Sequence, residues 1–443
     1  MRQRRRSLRL LAIFLGLSMF AAACGDDDDT EASDDTTEEE EGGGDDLTAP
    51  PEFGDAAPEC TGDEDGTLSI GGLLPQTGNL AFLGPPEEAG AQLAVNEINA
   101  AGGVLGQPVT YSPGDSGDTS TDIANQTVDR HLNEGVDVVL GAASSGVSFT
   151  VIDKIVGACK IHFSPANTSP DFTEYDDDDL YFRTAPSDVL QGRVLADLLA
   201  SDGHATAAIL ALQDPYGEGL LRFTKEPFEE AGGEVVVERV YDPQAANFDP
   251  EIDEVVSAEA DAVVVIGFDE SSRILTGLFE QGITPDQVYL VDGNIGNALG
   301  DDFTEEGALV GTQGTQPAAE VTEEFRSQLL ATDPGLIDYS YGPETYDAVV
   351  ITALATELAG TDDPAQVATF INGVTREGEK CATFEECKAL IDGGTTDIDY
   401  DGPSGPQSFS QAGEPTEASF SISTYGPDNQ IDASMTEYRT AEF

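Results

Sequence analysis

The residues from Leu68 to Gly103, LSIGGLLPQTGNLAFLGPPEEAGAQLAVNEINAAGG, contain the unit from which the folded part of the chain is built. Leu68–Leu74 is mostly apolar or small, and such a short run predicts a buried strand. In Pro86–Ala101 the apolar residues recur every three or four positions, which predicts an amphipathic helix that ends at Gly102-Gly103. A strand followed by such a helix is the repeating unit of a parallel α/β fold.

The same alternation continues as far as residue 291. Further strands are predicted at Val109–Ser112, Val136–Leu140, Lys160–Phe163, Ala207–Leu212, Glu234–Tyr241, Ala262–Gly267 and Gln287–Val291. Helices are predicted near Thr121–Asn133 and at Val147–Ala158, Val189–Ser201, Gly219–Ala231 and Ser271–Gln281. Because segment 67–443 is longer than one hydrophobic core usually supports, we predict two α/β lobes with parallel sheets flanked by helices. A ligand cleft is expected between the lobes, where the carboxyl ends of the strands meet.

The N-terminus has the order of a secretory signal. Arginines dominate the first nine residues, the apolar run Leu10–Phe20 follows, and Ala21–Ala23 precede Cys24. The apolar run is shorter than the roughly 20 residues of a membrane-spanning helix, so residues 1–23 are predicted to be a signal peptide. The segment from Phe20 to Cys24 resembles a bacterial lipoprotein cleavage box, which implies a lipid on Cys24 and an anchor in the membrane. Ordinary signal peptidase cleavage after Ala23 is the alternative.

Residues 24–66 are predicted to form a disordered acidic linker behind that anchor. The segment contains Asp26–Asp29, Glu38–Glu41 and Gly42–Gly44 but neither Lys nor Arg, and few of its residues are apolar. Like charges repel one another and no core can form, so the segment is expected to extend as a tether.

Acidity is not confined to this linker, because the whole chain has a formal net charge of −66. Nucleic acid and anionic lipid surfaces would be repelled and are excluded as partners. Two explanations compete, namely solubility in a saline medium and attraction of a cationic ligand. We favour the first, because the acidic excess runs along the whole folded region.

The cysteines outside Cys24 number four, which in an exported chain predicts two disulfides with three possible connectivities. Cys381 and Cys387 are close in the chain and are paired on that ground, which leaves Cys60 with Cys159. A metal site is the weaker alternative, because the chain has no C-x-x-C motif and only three histidines. No metal and no cofactor are predicted.

Four motifs occur in an order typical of one family. They are IGGLLPQTG at Ile70–Gly78, AVNEINAAGG at Ala94–Gly103, SPANTSP at Ser164–Pro170 and YGEG at Tyr216–Gly219. Over residues 66–425 the chain resembles the type I periplasmic binding proteins, in the leucine/isoleucine/valine-binding branch that serves ABC importers. The resemblance implies two Rossmann-like lobes joined by a three-strand hinge, in a monomer. It also implies a small-molecule ligand and the permease and ATPase subunits of an ABC transporter as partners.

In the related proteins the chain crosses between the lobes three times. The resemblance places these crossings near Ala185, Thr315 and Glu417. The first lobe is therefore predicted to contain residues 67–185 and 318–416, and the second lobe residues 186–317 and 417–443.

Two small-residue turns that follow predicted strands, Gly141–Gly146 and Ser164–Thr168, are candidates for holding a ligand. Gly141–Gly146 reads GAASSG, and its backbone N–H groups with the hydroxyls of Ser144 and Ser145 suit a carboxylate. A strand-to-helix turn with an N-cap serine is the alternative. The resemblance matches a set of residues to positions that hold the carboxylate and ammonium of an amino acid, namely Ser145, Ala166, Asn167 and Thr168. It matches Tyr216 to an aromatic contact from the second lobe, with ordinary packing as the alternative.

Three positions depart from the branched-chain binders. Leu83, beside Phe82, stands where those proteins carry a ligand tyrosine, and Gly293 stands where they carry an ammonium-binding glutamate. Phe268-Asp269 stands where aromatic residues are expected. A buried ammonium requires a carboxylate partner, so we expect Asp292 or Asp269 to supply it. If neither does, the ligand is not a simple amino acid.

Catalytic interpretations have little support in the sequence. Gly114–Gly117 reads GDSG, as around the nucleophile of trypsin-like proteases, but here the string follows a strand of an α/β repeat. Neither Ser144 nor Ser145 lies in a G-x-S-x-G motif, and a phosphate-binding G-x-x-x-x-G-K-[ST] loop is absent from the sequence. We predict an extracytoplasmic solute-binding lipoprotein of an ABC importer and not an enzyme. A sensory receptor of the same fold and an exported α/β hydrolase are the alternatives.

Overall fold

The structure is a computed structural model in which residues 47–49 and 51–443 are described. The predicted signal peptide, the lipid site Cys24 and the linker as far as residue 46 lie outside the described residues. Within the described residues, the longest and most apolar helices still fall short of what a bilayer crossing requires.

The first lobe is built on a five-stranded parallel sheet. Its strands are β1 (Ser69–Leu73), β2 (Thr110–Ser112), β3 (Val138–Gly141), β4 (Ile161–Ser164) and β5 (Tyr181–Arg183), in the order β2-β1-β3-β4-β5. The helices between these strands are α1 (Gly84–Ala100), α2 (Ile123–Glu134), α3 (Ser145–Phe149) and α4 (Ile152–Val156). Strands β3 and β4 are fully buried, as expected for strands that are covered by helices on both faces.

The second lobe is built on a seven-stranded sheet. Its parallel strands are β6 (Thr206–Leu212), β7 (Glu234–Tyr241), β8 (Ala262–Ile266), β9 (Val288–Leu290) and β10 (Gln313–Pro317). Its helices are α5 (Asp188–Ser201), α6 (Pro215–Glu230), α7 (Asp249–Ala258), α8 (Ser271–Glu280) and α9 (Asn297–Gly300). The predicted fold class of two α/β lobes with mainly parallel sheets is confirmed.

The rest of the chain returns to both lobes. Helices α10 (Glu323–Thr332), α11 (Gly342–Ala359), α12 (Pro364–Ile371) and α13 (Phe384–Asp392) join the first lobe, where α11 packs along α1. A small parallel pair, β11 (Glu379–Cys381) and β12 (Ile398–Tyr400), lies beside them. The last strands, β13 (Glu417–Thr424) and β14 (Glu437–Glu442), add to the second sheet in antiparallel orientation. The chain therefore passes between the two sheets three times, after β5, after β10 and before β13.

One predicted helix is divided in two. The helix predicted over 147–158 ends as α3 at Phe149 and restarts as α4 at Ile152. The break contains Thr150 and Val151, and Val151 has a φ of −127°. Adjacent β-branched side chains lose rotamer freedom in a helix, which explains why the chain leaves the helical conformation at this point.

Part of the predicted linker belongs to the folded unit. In segment 51–66 the side chain of Ala56 is buried, and the Asp362 carboxylate accepts hydrogen bonds from the backbone N–H groups of Asp65, Gly66 and Thr67 at 3.1, 2.7 and 2.9 Å. The disulfide Cys60–Cys159 joins this segment to the first lobe, and Cys381–Cys387 is also formed. The linker prediction over 24–66 is therefore wrong for its last part. Composition alone indicated disorder there, but a covalent bond and backbone capping by Asp362 hold the segment in place.

Candidate functional site

The carboxyl ends of the strands in both lobes face a narrow cleft. A cavity of about 10 Å³ remains in it, close to the volume that one water molecule needs. Its wall includes eight of the predicted ligand residues, namely Leu83, Ser144, Ser145, Ala166, Thr168, Tyr216, Phe268 and Asp292. Leu80, Ala143, Gly293 and Tyr341 complete the wall. Residues of both lobes therefore line this cavity.

The loop after β3 brings two hydroxyls to the wall. Ser144 is the N-cap of α3, and its Oγ accepts a hydrogen bond from the Val147 N–H at 3.3 Å. Ser145 Oγ accepts one from the Ser169 N–H at 3.2 Å, which ties this loop to the loop after β4. The N-cap serine that was the alternative to a carboxylate site is therefore present, and both serines are also buried beside the cavity.

Asn167 does not line the cavity. Its side-chain Nδ2 donates to the carbonyls of Ala142 and Ala143 at 3.0 and 2.9 Å, and its Oδ1 accepts from the Tyr181 hydroxyl at 3.1 Å. These bonds use the amide to hold the two first-lobe loops together. The neighbouring Ala166 and Thr168 are the members of this loop that form part of the wall.

A buried arginine supports the same loop, and the sequence analysis did not identify it. Arg183 at the end of β5 is fully buried and pairs with Glu414, whose Oε2 accepts from its Nε at 2.9 Å. Its Nη1 donates to the carbonyls of Asn167 and Ser169 at 3.2 and 2.8 Å. The guanidinium therefore fixes the backbone on either side of Thr168.

On the second lobe, Asp292 is the charged residue of the wall. Its Oδ1 accepts hydrogen bonds from Gln191 Nε2 at 2.9 Å and the Tyr216 hydroxyl at 2.8 Å, and its Oδ2 from the Tyr341 hydroxyl at 2.7 Å. Burial raises the pKa of the Asp292 carboxyl, and the three donors oppose that shift. Tyr341 comes from the first lobe, so its hydroxyl joins the two lobes across the cleft.

Gly293 cannot carry the side chain that the branched-chain binders have at the matched position. A Cβ there would lie 2.7 Å from the Gly267 carbonyl oxygen and 3.0 Å from the Tyr216 hydroxyl. The ring of Tyr216, stacked on Phe268 with centroids 5.6 Å apart, lies close to this position. Asp292, one residue earlier, brings a carboxylate to the cavity instead.

Asp188 is a second carboxyl at this end of the cleft. It is the first residue of α5, fully buried, and neither of its carboxyl oxygens accepts a hydrogen bond from the described residues. Its backbone N–H donates to the Thr168 carbonyl at 2.8 Å. Burial raises the pKa of this carboxyl well above its ordinary value, and the charge of Asp292 raises it further, while the nearby Thr168 hydroxyl and the Arg183 guanidinium oppose the shift in part.

A second cavity of about 190 Å³ lies beside the first and shares Phe268 with it. Its wall is largely apolar and includes Phe82, Ile295 and Leu299. Asp269 lines this cavity and is exposed, so the structure separates it from Asp292. Partial desolvation at the cavity wall raises the pKa of the Asp269 carboxyl, although the residue as a whole is exposed. Of the predicted set, eight residues therefore lie around the small cavity, Phe82 and Asp269 lie at the apolar one, and Asn167 lines neither.

The protease-like string has a structural role. Asp115 Oδ1 accepts from the backbone N–H groups of Gln76, Thr77 and Gly117 at 3.1, 3.1 and 2.9 Å, and Ser116 Oγ donates to the Gly117 carbonyl at 3.3 Å. These bonds shape the loops after β1 and β2. No group of three or more metal-ligating side chains occurs within residues 47–49 and 51–443.

Two of the partners of Asp292, Gln191 and Tyr341, were missed because they are distant from it in the sequence. Gln191 lies in α5 and Tyr341 precedes α11, so no local motif connects either one with Asp292. Asp188 follows a serine at the start of a predicted helix, where an acidic residue is typical of capping. Its burial without a partner is visible only in three dimensions.

The sequence profile of the family described as periplasmic binding protein matches residues 67–421. Among known proteins, the Leu/Ile/Val-binding protein homolog 2 of Brucella abortus (strain 2308) is 30% identical over 315 residues, which cover 68% of this chain and 81% of the relative.

Solved structures with the same fold include the branched-chain amino acid transporter substrate binding protein LivJ from Streptococcus pneumoniae, in complex with isoleucine. It has a TM-score of 0.68 at 21% identity and covers 85% of this chain and 100% of its own. A solute binding protein from R. palustris, in complex with benzoate, has a TM-score of 0.66 at 18% identity and covers 83% of this chain and 95% of its own. At these identities the likeness concerns the fold alone.

Proposed function

Because this chain belongs to the type I periplasmic binding protein family, in its branched-chain amino acid branch, we propose that it captures an amino acid with an apolar side chain. The family consists of solute-binding proteins that act outside the cytoplasm and are not enzymes. The cargo would pass to the permease and ATPase subunits of an ABC importer, with the receptor acting as a monomer.

The observation that carries this proposal is the pairing of chemistry across the small cavity. The first lobe offers the hydroxyls of Ser144, Ser145 and Thr168, which suit a carboxylate. The second lobe offers the Asp292 carboxylate, which suits an ammonium. An α-amino acid carries both groups on one carbon, so its head would contact both lobes at once.

The neighbouring apolar cavity would hold the side chain of the ligand. Its volume of about 190 Å³ is more than ten times the roughly 10–15 Å³ that one water molecule needs on the measure used for the small cavity. Phe82 from the first lobe and Phe268 with Leu299 from the second lobe form an apolar wall. A branched aliphatic side chain would lose its contact with water there, which is the main source of affinity in such pockets.

We further propose that the lobes separate to admit the ligand and close on it by a hinge motion. The small cavity is enclosed by residues of both lobes, so a ligand reaches it only when the lobes move apart. A ligand favours the closed state only through contacts that are better in that state. Contacts to Ser145 and Asp292 together meet this condition, because these residues lie on opposite lobes.

Calorimetric titration of the purified chain tests the proposed cargo. We expect leucine, isoleucine and valine to bind, and urea, short amides and polyamines to bind more weakly or not at all, because these lack the paired carboxylate and ammonium. If the three branched amino acids all fail to bind at millimolar concentration, the cargo assignment is wrong while the receptor assignment stands.

The anchor is proposed from the sequence around Cys24. A basic segment, an apolar run, small residues and then cysteine match a lipoprotein signal. Each buried methylene contributes about 0.8 kcal/mol, so two or more long acyl chains would hold the protein on the membrane stably. Cys24→Ala should release the protein from the membrane fraction, as detected by fractionation and immunoblotting. Cys60→Ala is the control, because it removes a cysteine of the folded region, and retention of the Cys24 variant would contradict lipidation.

A further inference from the structure

Asp188 and Asp292 lie close together behind the first-lobe loop of the cleft. Asp188 and Gln191 are three positions apart on α5 and so project from the same helix face, and the Gln191 amide donates to Asp292 at 2.9 Å. The Asp188 N–H donates to the Thr168 carbonyl, and Thr168 lines the cavity. Asp188 is therefore in contact with Thr168, and its carboxyl interacts electrostatically with that of Asp292.

The charges around this pair do not neutralise it. Among the described residues, the cation that acts on Asp188 is Arg183, which already pairs with Glu414, and Asp214 adds a further carboxylate. Asp292 is surrounded by Tyr216, Tyr341 and Gln191, which donate hydrogen bonds without carrying positive charge. The N-terminus of α5 favours an acid at Asp188, but a helix end provides only a partial charge.

A buried carboxyl with no hydrogen-bond partner is costly to the fold and requires an explanation. Asp292 alone would be sufficient to pair with one ammonium. A cationic amine next to both carboxyls would favour their ionised forms, and in a water-poor site such charge interactions are stronger than at the surface. Such a site favours ligands with a cationic group and disfavours ligands that carry only a carboxylate.

We infer that Asp188 is a second acidic group of the ligand site, which acts with Asp292 to select ligands that carry a cationic amine. This inference rests on the proposed function and extends it, because it excludes simple carboxylic acids such as benzoate as cargo. Asp188 acts on the ligand through the local potential and through Thr168, and is therefore a positioning residue.

Three isosteric probes separate the charges of the ligand. L-leucine carries both groups, 4-methylpentanoate lacks the ammonium, and 3-methylbutylamine lacks the carboxylate. We expect leucine to bind at least about tenfold more tightly than 4-methylpentanoate, with detectable binding of the amine. In Asp188→Asn the ratio of leucine to 4-methylpentanoate affinity should fall about tenfold. A structural role would weaken both ligands alike and leave the ratio unchanged, and that result would overturn the inference.

Asp347→Asn is a matched control. Asp347 is a buried carboxyl of the first lobe whose oxygens accept from the Tyr400 hydroxyl and from Ser404, away from the cleft. Its replacement should lower stability and leave the affinity ratio unchanged. If Asp347→Asn changes the ratio as much as Asp188→Asn does, the effect does not come from the ligand site and the inference fails.

Thermal unfolding of the ligand-free chain provides a test that does not depend on the cargo. The folded-state pKa of Asp188 is raised by burial, so its ionised form opposes folding above the ordinary aspartate range. Asp188→Asn should therefore melt at a higher temperature than the wild type at pH 7, and the gain should vanish near pH 4.

The two assays distinguish the failure of each proposal. If no probe binds but Asp188→Asn is more stable at pH 7, the branched amino acid cargo is wrong, while the conclusion that the Asp188 carboxyl is uncompensated still holds. If Asp188→Asn is no more stable than the wild type at pH 7, Asp188 already has a partner and the inference is overturned. Tight binding of 4-methylpentanoate to the wild type would overturn it as well.

Discussion

The first lobe meets the cleft with loop backbone and small hydroxyls, whereas the second lobe meets it with aromatic rings and a carboxylate. Ser144, Ser145 and Thr168 belong to loops that are fixed from behind by hydrogen bonds and by a buried ion pair. Tyr216 and Asp292 form their contacts through side chains alone.

The lobes also differ in how they are stabilised. Both disulfides of the described residues lie in the first lobe, and the Arg183–Glu414 pair lies at its edge, beside two of the crossings. The second lobe is held by a continuous apolar core in which strands β6 and β8 are almost fully buried. This contrast agrees with the proposed hinge motion. The first lobe would be arranged before the ligand binds to it, and the second lobe would supply charge selection when the lobes close.

The contrast is tested most severely by Glu414→Gln. The variant leaves the Arg183 guanidinium buried without its counter-charge, and breaking a buried pair in this way costs about 3–5 kcal/mol of unfolding free energy. Urea denaturation measures the loss. Glu226→Gln is the control, because its partner Arg222 is exposed and such a pair contributes less than about 1 kcal/mol. Equal losses in the two variants would show that the buried pair does not hold the first lobe.

The disulfides allow a second comparison within the first lobe. Cys60 and Cys159 are separated by 99 residues and Cys381 and Cys387 by 6. In the loop-entropy account the longer loop contributes about 2 kcal/mol more than the shorter one. The variant with Cys60 and Cys159 both changed to serine should therefore unfold at a lower urea concentration than the variant with Cys381 and Cys387 both changed. Coincident midpoints would contradict this account.

The role of the second lobe in charge recognition is tested by Asp292→Ala. Removing the carboxylate should weaken an amino-acid ligand at least tenfold, a loss of about 1.4 kcal/mol or more, as measured by calorimetry. Asp269→Ala is the matched control, because Asp269 lines the apolar cavity and is exposed. If Asp269→Ala has the larger effect, the ammonium lies at the other cavity and the proposed orientation of the ligand is reversed.

The sequence was sufficient to predict the parts of this architecture that depend on local pattern. A few consecutive residues determine continuous apolar strands such as β8 and turns such as 141–146. The disulfide pairing could be predicted because four cysteines have few combinations. Segment 51–66 could not be predicted as ordered, since its stability comes from Asp362 and Cys159 elsewhere in the chain.

The same distinction between local pattern and distant residues applies to the site. Residues in contiguous motifs, such as Ser145 and Thr168, could be proposed from the sequence. Two donors to Asp292 could not, because Gln191 and Tyr341 reach it from distant segments of both lobes. Asn167, another residue of a matching motif, uses its side-chain amide for internal hydrogen bonds, which the motif alone did not show.

The smallest effect concerns the contact that spans the cleft at the rim. Asp338, in the first-lobe loop before α11, accepts at Oδ1 from the backbone and side-chain nitrogens of Asn297 at 3.1 and 2.8 Å, and at Oδ2 from the Ala298 N–H at 3.2 Å. These bonds exist only while the lobes are together. Asp338→Ala should therefore shift the lobes towards separation by about 1 kcal/mol, which would weaken the ligand about fivefold.

The measurement combines calorimetry with small-angle X-ray scattering of the ligand-free chain. Asp301→Ala is the control, because Asp301 follows α9 at the same rim and is exposed. We expect Asp338→Ala, and not the control, to increase the radius of gyration and reduce affinity. Full occupancy at saturating ligand, with an unchanged heat per site, would indicate that the variant alters closure and leaves the ligand contacts intact. An unchanged radius of gyration and affinity would show that Asp292 and Tyr341 are sufficient to hold the lobes together.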